Sequence, residues 1–136
     1  MFASCTQLWA LFYSFRAGVI APGEFRHRHH LAVALCYGSL LPLEQALDAF
    51  RADLVRLISP WGQERKYHET ITRFWLSLAA HYLESQTPGR CLAAVANDFV
   101  ERFGDKTLVD RHYSRAVLAS HEARTGWVAP DLAPIA

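Results

Sequence analysis

A chain of 136 residues, 51% hydrophobic and 20% charged, carries enough apolar mass for one packed core and too little length for a second ordinary domain. Its formal net charge of +1 lacks the basic field that marks nucleic-acid or anionic-membrane binders, so neither partner is expected. Cys5, Cys36 and Cys91 are an odd, widely spaced set without a Cys-x-x-Cys pair, which argues against a disulfide framework or a thiolate metal site and for a reducing, cytoplasmic setting.

Periodicity near 3.6 recurs along the chain and strand-like alternation is scarce, which predicts an all-α single-domain bundle of five to six helices spanning 1–136. The first helix is expected from about Thr6 to Arg16, stopping at Gly18. Its apolar run Leu8 to Phe15 lacks the basic flank and cleavage site of a signal peptide and is too short to cross a bilayer. Pro22-Gly23 turns the chain into a second helix, about Arg26 to Ser39, with Leu31, Ala34, Leu35 and Gly38 on one stripe. Pro42 suits the first turn of a third helix, where its missing donor costs nothing. There Leu43, Leu47, Phe50, Leu54 and Leu57 face the core while Glu44, Asp48, Arg51 and Arg56 stay wet. After Pro60-Trp61-Gly62 a fourth helix, about Tyr67 to Glu84, buries Ile71, Trp75, Leu78 and Tyr82 and stops at Thr87-Pro88-Gly89. A fifth, about Cys91 to Phe103, carries Leu92, Val95, Phe99 and Phe103 and ends at Gly104. A shorter helix is expected over Leu108 to Leu118. The tail 127–136, with Pro130 and Pro134, is expected to lie extended over the bundle.

Two histidine-bearing segments, Phe25-Arg26-His27-Arg28-His29-His30-Leu31 and Tyr67-His68-Glu69-Thr70, fall where the second and fourth helices begin. Short connections favour antiparallel neighbours, so these helices should run parallel and bring both motifs to one end of the bundle. His27 and His30, three apart, share a helix face. His29 is expected to face solvent, His81 to sit at the opposite rim, and His121 at the surface; His112 and Tyr113 are weaker candidates for the site end.

Three readings fit the pair of motifs. His27, His30 and His68 could bind a divalent transition metal, zinc or iron, with Glu69 as fourth ligand or base, although the helix N-termini oppose a cation. The same positive ends could instead hold an anionic or carbonyl substrate, with Arg28, Tyr67 and Arg73 as contacts and His30, His68 and Glu69 as acid–base groups. Or the motifs only complete first turns: His27 or Glu69 caps, His68 bonds in the core and Thr70 bonds backbone.

The segments Phe25-Arg26-His27-Arg28 with His30-Leu31, Tyr67-His68-Glu69-Thr70-Ile71-Thr72 and Pro130-Asp131-Leu132-Ala133-Pro134 resemble an uncharacterised family of small all-helical bacterial proteins. The likeness runs from about Phe15 to the end, is most specific at Tyr-His-Glu-Thr and weakest in the first helix. It implies that both motifs and the tail form one module, and implies no catalytic assignment. The expectation is therefore a small enzyme or ligand-binding protein acting on a small molecule through a His/Glu pocket. From another class, the alternative is a non-catalytic helical interaction module, as a homodimer, whose aromatic residues cover the partner.

Overall fold

The computed structural model describes residues 1–135; Ala136, the last position of the expected tail, lies outside the described residues. Five long helices carry the architecture: α1 (Cys5–Ala17), α2 (His27–Leu40), α3 (Leu43–Ile58), α4 (Glu69–Glu84) and α5 (Leu92–Phe103). Two single-turn helices follow, α6 (Arg115–Leu118) and α7 (His121–Thr125). Among the described residues there is no strand. The all-α, single-bundle expectation holds.

Local chemistry accounts for the boundaries. Ser4 accepts the Gln7 amide at 3.2 Å and so starts α1, while Gly18 ends it in the left-handed region at φ 69°, donating to the Phe15 carbonyl. Pro42 immediately precedes α3, and Glu44 in the first turn and Arg56 in the last complement the helix dipole. The link from α3 to α4 is two 3-10 turns, 59–61 and 64–66, hinged on Gly62 at φ 69°. His68 is the N-cap of α4, not a helical residue.

The centre of the bundle is α2, which packs on α1, α3, α4 and α5. Leu31 to Tyr37 are buried without interruption, so the expected single stripe is replaced by burial on every side. Small residues permit this: a methyl group on Gly38 would come within 3.2 Å of Leu83 Cδ1. His27 meets Trp75 near the start of α2 and Gly38 meets Ala80 near its end, so α2 and α4 run parallel as expected.

In α3, Leu47, Phe50, Leu54 and Leu57 are buried as their spacing requires, but the stripe also buries Asp53. That carboxylate accepts from Tyr37 Oη and pairs with Arg56 at 2.9 Å and Arg16 at 3.8 Å. The charge is thereby matched at the junction of α1, α2 and α3. In α4 the inward face is Phe74, Trp75, Leu78 and Ala79; Ile71 and Tyr82 are only half-buried.

The expected helix over 108–118 is instead a 3-10 turn, 106–111, followed by α6. Asp105, Ser114 and Ser120 each cap a new short element, accepting from Thr107, Val117 and Ala123. Beyond α7 the chain from Trp127 is irregular, and it is laced to the bundle. Tyr113 Oη donates to the Val128 carbonyl at 2.6 Å, His112 Nδ1 contacts the Ala133 carbonyl at 3.0 Å, and Asp131 accepts the Ser114 amide at 2.8 Å.

Candidate functional site

Where α2 and α4 begin, the bundle carries a half-open cavity of about 530 Å³, within the range of small-molecule sites. Its walls are apolar side chains of α2, α3 and α4, among them Ala34, Phe50, Leu54, Trp75 and Leu76. Its polar lining comes from His27, His30 and His68, from Gln63 and Thr72, and from Lys66 and Lys106, which are exposed residues at the rim. Among the described residues, no carboxylate lines it.

His27 is the first residue of α2, where the turn presents its ring edge-on to Trp75 at 4.6 Å between centroids. Its Nε2 is buried and has no hydrogen-bond partner among the described residues. Burial holds the ring below the ordinary histidine range with help from Lys106, while the Phe103 carbonyl and Asp105 act the other way. His30, one turn on, lies against Phe25 at 4.3 Å. Burial, then the neighbouring His27 and His29, push it down to about 3. At neutral pH it is an uncharged hydrogen-bonding group and not the proton carrier expected from its ordinary range.

His68 also reaches the cavity wall, but its nitrogens are committed to the fold. Nδ1 accepts the Ile71 amide at 3.1 Å, capping α4, and Nε2 lies 2.8 Å from the Leu118 carbonyl. Those partners assign the Nε2–H tautomer. Glu69 is turned away from the cavity: Arg51 Nε and Nη2 donate to its two oxygens at 2.7 and 2.5 Å, and Tyr67 Oη donates at 2.6 Å. Burial raises the Glu69 carboxyl, but the Arg51 guanidinium and the Tyr67 hydroxyl outweigh it and leave the group below the usual carboxylate range. Arg51, expected to stay wet, is the half-buried partner of this pair.

The expected catalytic set of His30, His68 and Glu69 is therefore not assembled as one. Glu69 holds α4 to α3, and His68 holds α4 to α6. Thr70, fully buried, donates to the Gly126 carbonyl at 2.8 Å and accepts the Val128 amide at 3.1 Å. The Tyr-His-Glu-Thr segment thus anchors the C-terminal region residue by residue. Arg28 lies on a separate shallow recess beside Phe2 and His29. Arg73 pairs with Glu44 at 2.5 Å and sits 5.0 Å from the Trp127 ring. Neither reaches the cavity, whereas Tyr67 is part of its lining.

A zinc or ferrous ion needs three or more available donors. With His68 occupied and no carboxylate in the lining, His27 and His30 are the two imidazoles left, and no group of three His, Cys, Asp or Glu suited to a metal occurs among the described residues. The donor set does not fit a resident transition metal. His29 is half-buried, not solvated, because its Nδ1 accepts the Arg26 amide at 2.9 Å ahead of α2. His81 and His121 are exposed, as expected.

Lys66, Lys106 and Gln63 are the lining residues that periodicity does not single out. Lys66 stands one residue before the Tyr-His-Glu-Thr segment, a cue of position; Lys106 arrives through the 3-10 turn after α5 and carries no local signal. Comparison of the chain with protein-family models, curated proteins and solved structures finds no match.

Proposed function

We propose that this protein binds a small amphipathic molecule whose anionic or carbonyl head meets His27 and His30 and whose apolar body lies against Trp75, Phe50 and Leu54. The observation that carries this reading is a largely apolar cavity of about 530 Å³ whose wall carries His27 and His30 and whose rim carries Lys66 and Lys106. The cations at the rim, Lys66 and Lys106, give the head its sign. Neutral imidazoles can orient and polarise a carbonyl, so binding is the primary activity and any chemistry would draw on that polarisation. An interaction module covered by aromatic residues has less support, because Phe12 and Phe99 are consumed by the core.

The test is calorimetric titration with octanoate, octanol and octylamine, three ligands of one chain length. Octanoate should bind at least about tenfold tighter than octanol, a difference of about 1.4 kcal/mol, and octylamine least. Lys66→Ala with Lys106→Ala should remove most of that preference, and His27→Leu should weaken octanoate binding. Equal affinity for all three ligands, or indifference to the substitutions, overturns the reading.

A further inference from the structure

Far from the cavity in sequence, Cys5 and Cys91 are separated by 86 positions, yet their sulfur atoms lie 2.8 Å apart. Neither is bonded covalently. We infer that Cys5 and Cys91 form a reactive dithiol that a hydroperoxide oxidises reversibly to an intramolecular disulfide joining the start of α1 to the start of α5.

The juxtaposition is built by its surroundings. Asn97 of α5 accepts the Phe2 amide at 2.8 Å and returns its own amide to the Phe2 carbonyl at 2.9 Å, which clamps the residues before α1 onto α5. Ser4 and Gln7 then fix the first turn that carries Cys5. Cys91 is the N-cap of α5. The sulfurs stand within about 1 Å of the roughly 2.05 Å bond, so closure needs side-chain rotation and little backbone movement.

The chemistry is divided between the three cysteines by environment. The Cys91 thiol is exposed and is held below the ordinary thiol range by Cys5 and by the amides of Ala94 and Ala93 at the start of α5. Cys5 is partly exposed. Cys36 is fully buried, its thiol pushed up to about 12 by burial and then by Cys5, so it stays protonated and does not compete. The widely spaced cysteines that gave no disulfide signal in sequence thus become one reactive pair and one inert core residue.

In the forward step the Cys91 thiolate attacks the distal oxygen of the hydroperoxide; the O–O bond breaks and the alkoxide leaves, taking a proton as the alcohol. Cys5 then attacks the Cys91 sulfenic sulfur, the S–O bond breaks, and hydroxide leaves with the Cys5 proton as water. Two electrons pass from the two sulfurs to the peroxide. An external dithiol returns them.

Reduced protein is treated in native buffer with one equivalent of hydrogen peroxide, alkylated and mapped by mass spectrometry. The expected product is monomeric, lighter by two hydrogens, with a Cys5–Cys91 cross-linked peptide, Cys36 unmodified, and full reversal by dithiothreitol. The cross-link should form at least about tenfold faster in the folded protein than in urea, since folding supplies the effective concentration. The oxidised form should melt at least about 5 °C higher, because the bond closes a long loop. In Cys5→Ser the same treatment should leave Cys91 as a sulfenic or sulfinic acid with no cross-link. Wild-type protein that gives overoxidised Cys91, an intermolecular dimer, or two thiols still free for alkylation overturns the inference. The result is independent of the cavity, since octanoate binding reads a different region.

Discussion

Replacing His68 by alanine separates a structural role from a catalytic one. The substitution removes the acceptor for the Ile71 amide and the donor to the Leu118 carbonyl, at a residue 8% exposed. Loss of the helix cap costs about 1 kcal/mol. The unpaired Leu118 carbonyl adds about 1 kcal/mol, and the void left by the imidazole about as much again. A destabilisation of about 3 kcal/mol, at an m-value of about 1.5 kcal/mol/M, moves the urea midpoint down by about 2 M. His68→Asn keeps a capping oxygen and should recover about 1 kcal/mol of this. Octanoate affinity under native conditions should stay within about threefold, a change of less than 0.7 kcal/mol, because neither nitrogen of His68 is free for the ligand. A His68→Ala variant with an unchanged midpoint and abolished octanoate binding would refute the assignment and restore His68 to the site.

Three further outcomes follow from the same geometry. The His30 ring, pushed down to about 3, should show no titration between pH 5 and 8 by NMR; because its folded value lies below the ordinary one, its contribution to stability is complete above about pH 6.5 and declines as pH falls toward 3, and a midpoint above 5 contradicts the burial argument. The carboxyl of Glu69, held low by Arg51 and Tyr67 against the opposing effect of burial, contributes stability above its unfolded value near 4.3 that is lost as pH falls through the lower folded one; Arg51→Ala should cost about 2 kcal/mol at pH 7 and flatten that acid limb, and an unchanged urea midpoint at pH 7 would sink the pairing. Tyr113→Phe deletes the bond to the Val128 carbonyl and should cost about 1 kcal/mol while raising amide exchange from Trp127 onward; unchanged protection there would show that this bond does not hold the tail.

Much of the fold is legible residue by residue because helix boundaries are local events. Gly18, Pro42 and the turn at Gly62 act through their own backbones, and the stripe of α3 needs only its spacing. The last third of the chain is harder, since periodicity over 108–118 competes with Ser114 and Asp105, whose caps break it into shorter pieces. Burial of α2 on all sides is likewise invisible to a period, as it depends on four neighbours.

The site divides along the same line. Sequence by itself pointed the starts of α2 and α4 to one end of the bundle, because short connections favour antiparallel neighbours and so set alternate helices parallel, and it marked His27 and His30 as facing one way. Only the tertiary structure decided what those side chains do there. Whether His68 and Glu69 turn to the cavity or to protein depends on Leu118, 50 positions distant, and on Arg51, 18 positions distant. The same holds for Cys5 and Cys91, whose chemistry arises from an approach across 86 positions. Hydrogen bonds and thiol reactivity are set by contacts at about 3 Å, and a helical period specifies a direction, not the group that waits at the end of it.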